Sequence, residues 1–249
     1  MNREILRIAL PSIITNITVP LLGLVDLAIV GHIGADGTAS LDSAGSAVTI
    51  GAISVGTMIF NMVYWIFNFL RFGSSGLTAQ AFGRRDVAGI QKVFRLAITV
   101  ALICGALVIV LQRPIEWLSG WIISPSAEVW SLAIEYFRIR VWAAPAVIML
   151  FAMNGWFVGM QNSRIPMYIA IGQNIVNIVA SYLLVFNYNL GIAGVAIGTV
   201  VAQYVGLAAA IALKQTDPTL TLPHVGGEEK DSNIENDKYS QNIANDKVL

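Results

Sequence analysis

Residues 165–213 run for 49 positions without one charged side chain. Ordinary soluble domains, with about a quarter of their residues charged, do not produce such a stretch. A helix needs about 20 apolar residues to cross a bilayer, so this run is too long for one crossing. The segment Asn187-Tyr188-Asn189-Leu190-Gly191 supplies the turn that divides it in two. Residues 43–70 are also uncharged, and apolar character continues past Arg71. Cutting the rest of the chain at its charges predicts six transmembrane helices, at about 5–32, 43–82, 90–112, 128–160, 165–187 and 191–213. The apolar segments show no sustained period of two, which disfavours a membrane β-barrel. The expected fold class is an all-α integral membrane protein.

The formal net charge of zero hides an uneven distribution. Residues 1–213 hold 8 acids and 11 bases, whereas the 36 residues of 214–249 hold 7 acids and 4 bases. Two domains follow: a six-helix transmembrane lobe over 1–213 and a disordered, cytoplasmic polar tail over 214–249, too poor in apolar residues to offset its ordering entropy. A signal peptide at the N-terminus is disfavoured, because the apolar run is too long and contains Asp26. No basic surface suits nucleic acid. The lone Cys104 excludes a disulfide framework, and His32 and His224 offer no zinc site. Arg3, Arg7, Arg84, Arg85, Lys92, Arg95, Arg164 and Lys214 flank the spans on one side. The positive-inside rule then places both termini in the cytoplasm of a multi-pass protein of the inner membrane, with Arg138 and Arg140 as exceptions. Trp117, Trp121 and Trp130 within 113–135 read as an interfacial helix with an aromatic anchor.

Polar residues inside the spans need a reason, since a charge at the bilayer centre costs about 2.5–3.5 kcal/mol. Asp26 lies deep in the first span, where burial would raise its pKa and suit a proton carrier; capping or local pairing is the plainer role. Thr57, Asn61, Tyr64, Asn68, Arg71, Ser75 and Thr78 recur at alternating intervals of four and three, one stripe of a helix. Such a stripe either bonds neighbouring helices or lines a wet cavity, and its length favours the cavity. Asn174, Asn177 and Ser181 must face inward on the fifth span. Gly194, Gly198, Ala202 and Gly206 form a small-residue ridge for close packing on the sixth, flanked by Thr199 and Gln203. No nucleophile elbow, zinc helix or phosphate loop is present, so an enzyme is not expected. Inward amides, hydroxyls and one acid look like a solute or ion pathway.

Several motifs in order carry a family resemblance. LPSIITNITVPLLGLVDLAIVGHIG resembles the first helix of multidrug and toxic compound extrusion (MATE) transporters. NFLRFGSSGLTAQAFGRRD is similar to the end of the second, NGWFVGMQNSRIPM to the end of the fourth and GIAGVAIGTVVAQ to the start of the sixth. The wording is closest to the DinF-like branch and covers about residues 5–213. The resemblance implies twelve helices in two six-helix lobes, alternating access, and antiport of amphipathic or cationic organic compounds against protons or sodium ions. It assigns cation or proton coupling to Asp26, Asn177, Ser181 and Thr199, and the substrate cavity to Tyr136 and Asn154, which Asn61, Tyr64 and Asn68 of the stripe would join. Ser181 stands where many members carry a second Asp, which favours protons, with a sodium site near Asp26 as the alternative. No cofactor is implied. The expected partners are lipid, small organic solutes, and a second six-helix lobe or a second copy of the chain. A truncated, non-transporting fragment or scaffold is the alternative.

Overall fold

A computed structural model describes residues 43–216 together with Ile13, Ala28, Ile29 and Gly31. The rest of the expected first span, Asp26 included, lies outside the described residues, as does the expected tail beyond Thr216. The chain divides into Met1–Thr216 and Asp217–Leu249, and every described helix belongs to the first unit.

The described residues are helical almost throughout. Five stretches are long and apolar enough to cross a membrane: Gly45–Gly83, Val87–Val110, Ala127–Gly159, Arg164–Asn187 and Gly191–Gln215. The protein is a multi-pass, all-α membrane protein.

The first stretch is two helices, α1 (Ser43–Ile66) and α2 (Asn68–Gly83), parted at Phe67. Its 39 residues would measure about 58 Å as one helix, far beyond a hydrocarbon core of about 30 Å. At the break the Phe67 and Leu70 N–H groups donate to carbonyls three residues back, each at 3.0 Å, tightening the turn. α3 (Val87–Val110) starts at Asp86, whose carboxylate accepts from the Gly89 N–H at 2.8 Å.

After α3 the chain forms a short α4 (Gln112–Ile123), ending at Ser124 with φ 46°. It then restarts as α5 (Ala127–Arg140), which passes through one 3-10 turn into α6 (Ala144–Gly159). The segment expected to be one interfacial helix over 113–135 is divided, with α4 ending at Ile123 and α5 starting at Ala127. Trp130 belongs to the long Ala127–Gly159 span instead. The helix restarts early because Pro125 follows the left-handed cap and Glu128 suits a first turn. Glu135, Arg138 and Arg140 do not stop it, because Arg138 reaches Glu116 of α4 at 2.6 Å and Arg140 finds partners described below.

α7 (Arg164–Tyr182) ends in a π-turn over Leu183–Asn187, and α8 (Gly191–Thr216) returns antiparallel to it. Asn189 (φ 52°) and Gly191 (φ 51°) make the connection, two residue types that tolerate left-handed backbone. Packing pairs α1 with α5, α2 and α3 with α6, and α7 with α8; α5 also lies against α8. Small residues sit at the crossings. A Cβ on Gly155 would collide with the Arg71 carbonyl, and one on Gly198 with Ser181. Close approach of this kind holds helices together where lipid removes most of the hydrophobic drive. The core runs through Ile29, Phe60, Tyr136, Phe137, Ile148 and Val195. Trp65, Phe72 and Trp142 project outward, as lipid-facing side chains do.

Candidate functional site

Two polar groupings lie within the spans. The first joins α1 to α5 around Arg140. The Arg140 guanidinium carbon sits 5.0 Å from the Phe60 ring centroid and 5.4 Å from that of Tyr136. One of its nitrogens donates to the Tyr136 hydroxyl at 2.5 Å and to the Thr57 hydroxyl at 3.4 Å. The pairing is local in origin, since Tyr136 and Arg140 are one helical turn apart. Gly56 lets the Tyr136 ring lie against α1, because a Cβ there would press on the ring at 2.5 Å. Phe60 stacks on Phe137 at 5.1 Å and on Tyr64 at 5.5 Å. Tyr64 in turn meets Phe151 of α6 edge-on at 6.3 Å, one turn from Asn154. The Tyr64 hydroxyl and the Asn154 side-chain oxygen are buried and find no hydrogen-bond partner among the described residues. Such orphans in native structures mark sites for water, an ion or a ligand.

The second grouping lies between α7 and α8. Asn177, Ser181 and Thr199 are all buried. The Ser181 hydroxyl donates to the Asn177 side-chain oxygen at 3.2 Å, and Thr199 donates to the Val195 carbonyl at 3.0 Å. One turn from Asn177 towards the start of α7, the Gln173 amide donates to Gln203 of α8 at 2.9 Å. That bridge borders a cavity of about 130 Å³ lined by apolar residues such as Ile169, Val176 and Val205. α5 links the two groupings, and the exposed Tyr204 hydroxyl of α8 donates to the Trp142 carbonyl beside it at 2.9 Å.

The structure thus brings Tyr136, Tyr64 and Thr57 together, and Asn177 with Ser181, in separate helix pairs. Asn61 is exposed on α1, and Asn68 is half-buried at the start of α2. At the far end of the stripe Arg71 is exposed, Ser75 half-buried and Thr78 buried, and Gly155 of α6 packs on the Arg71 main-chain carbonyl while Gly159 packs on the Ser75 carbonyl and the Thr78 side chain. Of these three, Thr78 brings its side chain to that crossing, and its hydroxyl is buried without a hydrogen-bond partner among the described residues. Asp26 lies outside the described residues. Arg140 was read from sequence only as an exception to the charge asymmetry. The signal that would have found it is its position inside the 128–160 helix, four residues after Tyr136. Among the described residues no group of three or more His, Cys, Asp or Glu could hold a metal ion. The arrangement offers hydroxyls, amides, aromatic faces and one guanidinium: groups that bind and orient a solute.

Residues 11–183 match the MatE protein family. DNA damage-inducible protein F of Escherichia coli (strain K12) is 35% identical over 227 residues, which is 91% of this chain and 47% of that protein. Protein DETOXIFICATION 44, chloroplastic, of Arabidopsis thaliana is 28% identical over 217 residues, covering 82% of this chain and 39% of its own. A solved outward-facing multidrug resistance MATE family transporter has the same fold, with a TM-score of 0.73 at 22% identity, over 83% of this chain and 43% of that one. The chain spans about half the length of the relatives it matches.

Proposed function

The chain belongs to the MatE family, and from that premise we propose that it forms one lobe of a secondary antiporter. The lobe exports amphipathic or cationic organic compounds in exchange for protons or sodium ions, protons being preferred. The observation that carries the reading is the burial of Tyr136, Asn177, Ser181 and Thr199, each at most 4% exposed, inside membrane-spanning helices. Polar groups in that position are costly unless they serve one another or a passing solute.

Asp26 takes up and releases the coupling cation, with Asn177, Ser181 and Thr199 as its polar surroundings. Tyr136, Asn154, Tyr64, Asn68 and Asn61 shape the solute cavity. Arg140 holds the Tyr136 hydroxyl by its N–H, so that Tyr136 is left to donate its own proton to an acceptor. The chain acts as a transporter rather than an enzyme and needs no cofactor. It resides in the inner membrane with both termini cytoplasmic, and it completes its pathway with a second six-helix lobe or a second copy.

Dye efflux from cells lacking their own exporters tests this. Efflux should depend on the chain and be lost in Asp26→Asn at unchanged expression. Collapse of the proton gradient, but not of the sodium gradient, should stop it. The second reading is a non-transporting membrane scaffold. It predicts no gradient-driven uptake in liposomes with or without a complementary lobe.

A further inference from the structure

The Ala127–Gly159 span has 33 residues, about 50 Å as one helix and well beyond a hydrocarbon core of about 30 Å. It is broken near its middle by the 3-10 turn Val141–Ala143, directly after Arg140. Such geometry inside a long helix marks strain or a hinge. Pro145 is the local cause, since it has no N–H to carry the ladder on to the Trp142 carbonyl. The Ala144 N–H donates to the Val141 carbonyl. The Trp142 carbonyl accepts instead from the Tyr204 hydroxyl of α8, at 2.9 Å. Both residues are partly exposed, Trp142 at 55% and Tyr204 at 43%, on membrane-spanning helices. A main-chain carbonyl left unpaired in such a place is costly.

The turn sets the direction of α5 relative to α6. A 3-10 residue advances about 120° around the axis and an α-helical one about 100°, so three residues relaxing to α geometry would rotate one helix against the other by about 60°. α6 is held on both sides of such a change. A Cβ on Gly105 of α3 would stand 2.5 Å from the Pro145 Cα, and Gly155 packs on the Arg71 carbonyl. The rotation would therefore fall on α5, which ends at Arg140. The guanidinium meets the Tyr136 and Thr57 hydroxyls and lies over the Phe60 ring. Its contacts with Thr57 and Phe60 cross to α1, so they hold at one rotation and not at the other. The Tyr204 bond is to the main chain two residues past Arg140.

We propose that Tyr204 is a positioning residue: its hydroxyl fixes the Val141–Ala143 turn and thereby aims the Arg140 guanidinium at Thr57 and Phe60. In this way α8, which also carries Thr199 and Gln203, governs the polar grouping between α1 and α5. The consequence for solute binding rests on the transport reading above; the linkage between Tyr204 and Arg140 does not.

The test is a double-mutant cycle on the purified chain in dodecyl maltoside micelles, reading the thermal unfolding midpoint of Tyr204→Phe, Arg140→Gln and both together. Side chains that do not act through each other lower the midpoint additively. If the hydroxyl acts through the guanidinium, the double variant should fall short of the summed shifts by about one-third or more. Trp156→Phe, which loses another side-chain bond to a main-chain carbonyl, that of Ile90, should add in full with Arg140→Gln. Should Arg140→Gln lack native helicity, Thr57→Val, which removes one of the guanidinium's partners, takes its place and should show the same shortfall. In dye transport Tyr204→Phe should raise KM about threefold or more and keep the maximal rate per folded chain, whereas a merely structural loss lowers the rate and leaves KM alone. Additive midpoints for Tyr204→Phe, or an equal shortfall with Trp156→Phe, would overturn the positioning role. A shortfall with KM unchanged would overturn its link to solute binding. If the unsubstituted chain moves no dye, the transport reading fails and the cycle alone decides the positioning role.

Discussion

Arg140 shows what it takes to hold a guanidinium inside an apolar helix. Its N–H meets the Tyr136 and Thr57 hydroxyls, and its plane is flanked by Phe60 and Tyr136. Removing the guanidinium strips a buried hydroxyl of a charged partner, a loss of about 1–3 kcal/mol. Arg140→Gln should therefore lower the unfolding midpoint of the purified chain, and Arg140→Lys, which keeps charge but not the planar fork, should recover only part of it. Ser181 is a second test at this scale. Its bond to Asn177 is a neutral one at 3.2 Å, and such bonds in membrane interiors average about 0.6 kcal/mol. Ser181→Ala should be nearly silent. Ser181→Asp should destabilise by about 1–3 kcal/mol, because Ser181 is fully buried and lies where a Cβ on Gly198 would stand, so a larger, charged side chain must displace α8. The same unfolding measurement checks both. Residue types made Asn177, Ser181 and Thr199 legible as inward-facing, since lipid tolerates no other orientation. Arg140 was not, because its tolerance depends on Thr57 and Phe60, which are about eighty residues away in the chain.

At the scale of elements, the uncharged runs located the five spans found among the described residues, because hydrocarbon thickness allows few solutions to a 49-residue apolar stretch. The breaks were less legible. Nothing in Ile66-Phe67-Asn68 marks the end of α1: the sequence there lacks Gly and Pro, and the turn is held by two main-chain bonds. The small-residue ridge on α8 was readable, and it meets α7 through Gly198 and Gly206 and the π-turn after it through Gly194. Spacing alone could not say which glycines are packed, and the structure separates them. Gly155 has the Arg71 carbonyl where a side chain would go, whereas Gly172 has open space. Gly155→Ala should thus push α2 from α6 and cost about 1–3 kcal/mol. Gly172→Ala on α7 should be neutral or add up to about 1 kcal/mol through its helix propensity. Unfolding of the two variants side by side checks the contrast, and equal behaviour would refute the crossing geometry.

For the whole molecule, the charge asymmetry between the two ends of the bundle makes the orientation of the spans open to direct measurement. The end with Arg84, Arg85, Lys92, Arg95, Arg164 and Lys214 is strongly basic, while the opposite end has Arg113 with Glu116 and Glu128. An excess of Lys and Arg in short loops resists translocation, whereas acids contribute little to orientation. The basic end should therefore stay in the cytoplasm. Arg138 does not upset this, because its bidentate bond to Glu116, at 2.6 and 3.2 Å, leaves the pair without net charge at the opposite end. Single cysteines placed at Arg84 and at Ser126 in a Cys104→Ala background make the point measurable. A membrane-impermeant maleimide should label Ser126→Cys on intact cells and Arg84→Cys only after permeabilisation. Ser126 suits the purpose because it is exposed and lies between α4 and α5, where a side chain disturbs no crossing. The reversed labelling pattern would invert the lobe, placing Lys214 and the basic end outside. It would then follow that the charges of residues 84–95 do not decide the topology.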